Sequence, residues 1–118
     1  MKIRVYGLGI NESNQLKKRA KKFANAENLI KEINIIFTDC NYMKKLNKQF
    51  LGRNYVTDVL SFDIDDVGEI YVLLEDNLEV EKLWMKVLHG LLHLKGYDHQ
   101  TKKQKAAMDK KAKLYRSC

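Results

Sequence analysis

Three histidines within eleven residues constrain the fold of this chain more than any other feature. They are the only histidines among its 118 residues and follow the spacing H-x-x-x-H-x-x-G-x-x-H, as His89, His93 and His99. Because His89 and His93 are four residues apart, a helix places them on one face. Gly96 can adopt the left-handed conformation that ends a helix and lets the chain turn back. The spacing therefore predicts a helix, a reversing turn and three imidazoles that meet at one point.

Three imidazoles at one point are a typical ligand set for zinc. A fourth position left to water distinguishes a catalytic zinc site from a structural one. The pattern matches the metzincin protease signature except after the first histidine, where those proteases carry a glutamate as general base. Gly90 stands there and has no side chain to accept a proton. Zinc itself lowers the pKa of bound water to about 7, so we predict one Zn²⁺, held by His89, His93, His99 and a water molecule.

The charge of the chain is unevenly distributed. The formal net charge is +7, yet residues 54–81 contain nine acidic residues and no lysine or arginine. The segment after His99 has one acid, Asp109, against seven basic residues: Lys102, Lys103, Lys105, Lys110, Lys111, Lys113 and Arg116. A basic segment beside a metal site favours a polyanionic partner, with nucleic acid the leading candidate. The alternative is a solvated helix face that only keeps the protein soluble.

Phosphodiester cleavage at such a site would also need a cation near the reacting phosphate. Arg53, just before the segment 57–62, is the candidate catalytic residue, and a loop arginine in solvent is the equally plausible alternative. The first lysines of the basic segment, Lys102, Lys103 and Lys105, are the candidate residues for binding the nucleic acid.

Apolar periodicity predicts the order β-α-β-α-β-β-α-α. Strands are expected at residues 2–6, 32–38, 58–62 and 69–74, the last two joined as an antiparallel hairpin by a turn at 65–68. The predicted N-caps are Asn11 or Ser13, Asp39 or Asn41, Asp76, and Thr101. The residues expected to face inward are Leu16, Ala20, Phe23 and Ala24 in the first helix, Tyr42, Met43, Leu46 and Phe50 in the second, Leu83, Trp84, Val87, Leu88, Leu91 and Leu92 in the third, and Ala107, Met108, Ala112, Leu114 and Tyr115 in the fourth.

The fold class that follows is α+β with mixed α/β layers. Short βαβ crossovers make the first strands parallel, so we expect a small, mostly parallel four-stranded sheet with one antiparallel hairpin strand, packed by about four helices. The chain contains no proline, repeat or linker, which predicts a single domain over residues 1–118. A charged N-terminal segment, the lack of a membrane span and two widely separated cysteines indicate a soluble cytoplasmic protein.

The histidine block, His-Gly-Leu-Leu-His-Leu-Lys-Gly-Tyr-Asp-His at 89–99, resembles the signature of the bacterial YbeY family, the endoribonucleases of ribosomal RNA maturation. Leu46-Asn47, Thr-Asp-Val-Leu-Ser-Phe at 57–62 and Gly68-Glu69-Ile70 are similar to further blocks of that family, in the same order. The resemblance implies a zincin-like fold with zinc on His89, His93 and His99. It also implies single-strand-specific cleavage in 16S rRNA 3′-end maturation and late ribosome quality control, with ribosomal RNA and the small ribosomal subunit as partners.

The chain departs from the family pattern at several positions. The family's arginine corresponds to Leu51, and Arg53 lies two residues later; its two prolines correspond to Val56 and Asp63. The segment between Leu74 and His89 is also shorter than usual. Two other functions therefore stay open. The histidine spacing alone would suit a metallopeptidase-like hydrolase, and Leu51 would suit a non-catalytic zinc-binding factor of ribosome assembly.

Overall fold

A computed structural model describes residues 2–29, 31–54, 56–75, 79–98 and 100–115. The secondary-structure elements follow the predicted order: β1 (Ile3–Tyr6), α1 (Ile10–Glu27), β2 (Glu32–Thr38), α2 (Cys40–Leu51), β3 (Val59–Ile64), β4 (Val67–Leu73), α3 (Val80–Lys95) and α4 (Lys102–Tyr115). Three residues that carry predictions, Asp76, His99 and Arg116, lie outside the described residues. The single-domain assignment stays a prediction.

The four strands form one sheet in the order β1-β2-β4-β3. β2 is parallel to both β1 and β4, whereas β3 pairs with β4 in an antiparallel hairpin. The predicted fold class is therefore confirmed, including the single antiparallel pairing. The hairpin turn is tighter than predicted, because only Asp65 and Asp66 lie between the strands and Asp65 adopts a positive φ of 54°.

The main core lies between one face of the sheet and helices α1 and α3. Alternate residues of β2 and β4, such as Ile33, Ile35, Ile70 and Val72, are fully buried there. Helix α3 is buried around much of its circumference, as a helix packed between a sheet and a further helix should be. Its buried apolar residues are Leu83, Trp84, Val87, Leu88, Leu91, Leu92 and Leu94. The six residues of this helix that were predicted to face inward are all buried, so that prediction is confirmed.

Of the helices that the structure describes, α2 is the one that packs on the opposite face of the sheet. Met43 and Leu46 pack there on Leu60 and Leu73 in a smaller core. Tyr42 and Phe50, which the sequence placed inside, are instead 43% and 56% exposed, because one helix covers only part of this face. In α4, Ala107 and Leu114 were also predicted inward and are exposed, whereas Met108 and Tyr115 are buried.

Two of the predicted helix caps are confirmed and one is wrong. The Asp39 carboxylate accepts a hydrogen bond from Tyr42 N (2.8 Å), and Thr101 Oγ1 accepts one from Gln104 N (3.1 Å). Helix α1 begins after Gly9, so Asn11 and Ser13 lie inside the helix and do not cap it. Helix α3 begins at Val80 with Glu79 in the N-cap position. None of the described helices is long and apolar enough to cross a membrane.

Candidate metal centre

Helix α3 brings two of the three predicted ligands together. His89 is exposed and His93 half-buried, and their Nε2 atoms are 3.2 Å apart. The two rings meet edge to face, with centroids 4.7 Å apart and an interplanar angle of 78°. The four-residue spacing therefore does what helix geometry predicts, since both imidazoles aim the same nitrogen at one point beside the helix.

The separation of the two nitrogens fits a shared metal ion. Two ligands about 2.1 Å from a tetrahedral zinc would lie roughly 3.4 Å apart, close to the 3.2 Å between the His89 and His93 Nε2 atoms. Within the described parts of the chain, no three potential metal ligands converge. The third predicted ligand, His99, is outside those parts, so the complete ligand set stays a prediction.

Gly96 ends α3 three residues after His93 in the way the sequence predicts. Its φ of 112° lies in the left-handed region, and its N–H donates to the carbonyl of His93 (3.0 Å). Tyr97 N–H donates to the carbonyl of Leu92 (3.0 Å), which completes a Schellman-type helix end. The chain thus leaves the helix in a defined direction two residues before Asp98 and three before His99.

A carboxylate from the far end of α1 anchors the chain on both sides of His99. Glu27 accepts hydrogen bonds from the Tyr97 hydroxyl (3.0 Å), the Lys111 ammonium (3.0 Å) and the Tyr115 hydroxyl (2.6 Å). Tyr97 precedes His99 by two residues, and Lys111 and Tyr115 belong to α4, which follows it. One side chain of α1 therefore joins the turn after α3 to the final helix.

The electrostatics of this anchor agree with its geometry. Burial alone would raise the pKa of Glu27, but the hydrogen bonds from Tyr115, Lys111 and Tyr97 outweigh burial and lower it. Burial, followed by the hydrogen bond to Glu27, raises the pKa of Tyr97. The hydrogen bond to Glu27 also raises the pKa of Lys111. At neutral pH the cluster therefore consists of one carboxylate, one ammonium and two hydroxyl donors.

Gly90, at the position of the protease glutamate, is buried against the sheet. A Cβ atom there would lie 2.6 Å from Cγ2 of Ile70, so either the Ile70 side chain or the helix would have to shift to admit it. The position of the peptidase general base is therefore taken by a glycine that packs closely on β4.

Two grooves meet at His89. One has a volume of about 610 Å³ and lies between α3 and α4; its lining includes Met85, Leu88, Leu92, Lys105, Met108 and Asp109. The other, about 550 Å³, lies between α3 and the start of β3; its lining includes Thr57, Asp58, Glu75, Lys82, Met85 and Lys86. His89 and Met85 belong to both. A polymer bound across α3 would therefore pass over the histidine pair.

The candidate cations lie in different places. Lys105 lines the groove between α3 and α4, whereas Lys102 and Lys103 are exposed on the first turn of α4 and do not line it. Arg53 is exposed in the loop after α2, where its backbone N–H donates to the carbonyl of Asn47 (3.2 Å), and it lines neither groove. Leu51 is 47% exposed at the end of α2.

Several residues at the site carried no usable signal in the sequence. Glu27 resembles any charged residue in the last turn of a helix, and its partners are 70, 84 and 88 residues away. Asp58 was predicted as the first residue of a strand over 58–62. It precedes β3 instead, lines the second groove, and its carboxylate lies 3.9 Å from the Lys86 ammonium.

Comparisons with known proteins agree on one family. The family model described as Endoribonuclease YbeY matches residues 10–117. A relative from Bdellovibrio bacteriovorus named Endoribonuclease YbeY is 38% identical over 100 residues, covering 75% of this chain and 67% of the relative. One of the same name from Thermotoga maritima is 34% identical, covering 96% and 85%. A solution structure of a Thermotoga maritima protein superposes with a TM-score of 0.68 at 33% identity, covering 98% of this chain and 87% of the other.

Proposed function

Since the chain belongs to the endoribonuclease YbeY family, we propose that it is a zinc-dependent endoribonuclease that cuts single-stranded RNA. The observation that supports the metal dependence is the convergence of His89 and His93 Nε2 atoms, 3.2 Å apart, at the point where two grooves meet. His99 would supply the third ligand. When bound, Zn²⁺ would polarise a phosphate oxygen or lower the pKa of a water molecule to about 7.

The side chains around the histidine pair would hold and orient the substrate. Lys105 on one side and Lys82 and Lys86 on the other line the two grooves, so a strand that crosses α3 meets ammonium groups before and after His89. Ammonium groups fix phosphates in register without reading the base sequence. His89 and His93 would keep Nε2 unprotonated for the metal, which leaves Nδ1 as the protonated nitrogen of each ring.

The biological substrate we propose is ribosomal RNA of the small subunit. Maturation of the 3′ end of 16S rRNA and late quality control of ribosomes in the cytoplasm both present single-stranded RNA on a large ribonucleoprotein. The basic face of α4, with Lys102 and Lys103 exposed, would contact the phosphates of such a particle.

The metal claim is tested by comparing wild type with His93→Ala. Metal content is measured by elemental mass spectrometry, and cleavage is measured on a single-stranded oligoribonucleotide and on the same sequence in a duplex. Lys95→Ala, an exposed change two residues away on the same helix, is the matched control. We expect wild type and Lys95→Ala to hold zinc and cut only the single strand, and His93→Ala to lose both properties. Wild-type cleavage by zinc-free His93→Ala would refute the proposal.

Assays of RNA binding, RNA cleavage and peptide cleavage distinguish the nuclease from the two other functions. A ribosome-assembly factor without catalysis would bind RNA in a salt-sensitive manner and give no metal-dependent cleavage products. A peptidase would cut a peptide mixture regardless of added RNA. Gly90 argues against the peptidase, because this glycine stands at the position of the general base and has no side chain to accept a proton.

A further inference from the structure

The two grooves beside His89 differ in chemistry, so they suit different parts of a nucleic acid. The groove on the β3 side has four charged residues in its lining: Asp58, Glu75, Lys82 and Lys86. The groove between α3 and α4 has an apolar floor of Leu88, Leu92 and Met108, with charged groups of α4 along one side. In a nucleic acid strand, the flat face of an unstacked base is the group that favours an apolar floor.

We propose that the groove between α3 and α4 binds one unstacked base of the substrate strand, adjacent to the phosphate at His89. This inference rests on the proposed function. The groove volume of about 610 Å³ lies in the range of small-molecule sites, roughly 300–1,000 Å³. Recognition of single-stranded RNA commonly uses bases that leave the stack and enter a protein pocket.

The lining of the groove has the components that such a base requires. Met85 and Met108 are unbranched and polarizable, and thioethers make favourable contacts with aromatic rings. Lys105 and Lys113 lie on the α4 side, where they can reach the phosphates that flank the base. Charge and apolar surface are thus complementary to a nucleotide rather than to an apolar peptide side chain.

Asp109 gives the groove a means of selecting the base. It is the one acidic residue in the lining of this groove, and it sits between Lys105 and Lys113, one helical turn from each. A carboxylate accepts hydrogen bonds and donates none, so it pairs with the amino and ring N–H groups of a base edge. Guanine presents two adjacent donors, N1–H and N2–H, and fits both carboxylate oxygens at once. We therefore expect guanine to be preferred in this groove.

The test replaces single bases of a short single-stranded oligoribonucleotide with abasic residues, one position at a time. Binding to the zinc-loaded protein is measured by fluorescence anisotropy, and cleavage is measured in parallel. For the wild type we expect one position next to the cut at which the abasic residue weakens binding about three- to tenfold, the loss of one base contact. Equal effects at every position would overturn the proposal.

Variants of the groove connect that position to the protein. Met85→Ala truncates a side chain that is 48% exposed, so folding should not suffer, and Ala112→Met fills the groove from the α4 side. Both should abolish the difference between intact and abasic RNA, whereas the control Leu114→Ala, at an exposed position of α4 outside this groove, should keep it. If the abasic effect persists in Met85→Ala and Ala112→Met, the base lies elsewhere.

Asp109→Asn tests base selection, with Asp65→Asn in the hairpin turn as control. We expect Asp109→Asn to lose the preference for guanine at the sensitive position while Asp65→Asn retains it; an unchanged preference would remove Asp109 from the proposal. The experiments distinguish failure of the base-binding proposal from failure of the proposed nuclease function. A protein that binds with one base-sensitive position but cuts no RNA would retain the groove and refute the nuclease.

Discussion

The Glu27 anchor gives a prediction whose size follows from the structure. The Glu27 side chain is only 8% exposed and accepts bonds from two tyrosine hydroxyls and one ammonium. A bond to a charged group contributes about 1.5–3 kcal/mol and a neutral one about 1 kcal/mol. Glu27→Gln keeps one acceptor oxygen and removes the charge, so each tyrosine bond should weaken by about 1 kcal/mol. The contact with Lys111 adds little, because the lysine side chain is 35% exposed and water screens the ion pair.

We therefore expect Glu27→Gln to lower the free energy of unfolding of the metal-free protein by about 2 kcal/mol, measured by urea denaturation with a chelator present. Tyr115→Phe removes the whole hydrogen bond to the carboxylate and should cost about 1.5–3 kcal/mol. Glu32→Gln is the matched control, because its carboxylate is 47% exposed and pairs with Arg4 at 3.3 Å on the surface. The control should change stability by less than about 0.5 kcal/mol.

The pH dependence of this difference has a definite sign. The folded-state pKa of Glu27 is lowered from an ordinary value of 4.5. Its contribution is therefore fully present above the unfolded pKa and disappears as the pH falls through the lower folded pKa. The gap between wild type and Glu27→Gln should be full at pH 6–7 and shrink under more acidic conditions. A gap that is absent at pH 7, or that is the same at every pH, would refute the assigned role.

Other sites give predictions of similar sharpness. Gly90→Ala places a Cβ 2.6 Å from Ile70 and should lower stability by about 1–3 kcal/mol in urea denaturation; an unchanged midpoint would mean that α3 can shift on the sheet. Gly96→Ala forces a φ of 112° on a residue with a Cβ and should cost about 1–2 kcal/mol. It should also weaken zinc affinity in a chelator competition assay, because the turn toward His99 is strained, and wild-type affinity would contradict this. Thr101→Ala removes the N-cap of α4 and should cost about 1 kcal/mol, against no change for the exposed control Lys103→Ala in thermal unfolding.

Sequence patterns predicted those features of the fold that depend on neighbouring residues in the chain and not on tertiary packing. β2 was predicted with its observed bounds because residues 32–38 are rich in β-branched and aromatic side chains, which favour strands. The end of α3 was predicted because a glycine in the left-handed conformation is a local requirement. Tyr42 and Phe50 were misplaced because their periodicity says only that they share a side of α2. How far α2 covers the sheet depends on tertiary packing, and their rings lie at its margin beside Tyr71 and Phe62.

The candidate site also contains some residues that local sequence patterns predict and others that they do not. The His89–His93 pair follows from helix periodicity, and so did the expectation that Gly96 would turn the chain back. Glu27 could not be predicted, because its function depends on three elements that meet only in the folded chain. Tyr115 shows the same dependence: its ring contacts Phe23 edge to face at a centroid distance of 4.8 Å, and its carbonyl accepts a bond from the Trp84 indole (3.1 Å). No sequence spacing connects these residues.

Leu51 stands where the family has an arginine, so the positive charge at the site must come from other residues. An arginine at the end of α2 would belong to the smaller core's side of the sheet, and Arg53 lines neither groove beside His89. The cations that do line those grooves come from α3 and α4. Lys82 and Lys86 precede His89 by two turns and one turn of the same helix, and Lys105 and Lys113 lie on α4. The Lys86 side chain is 19% exposed, its ammonium lies 3.9 Å from the Asp58 carboxylate, and it lines the same groove as His89. The site therefore has a source of positive charge that is independent of residue 51, and it is carried by the helix that presents the histidine pair.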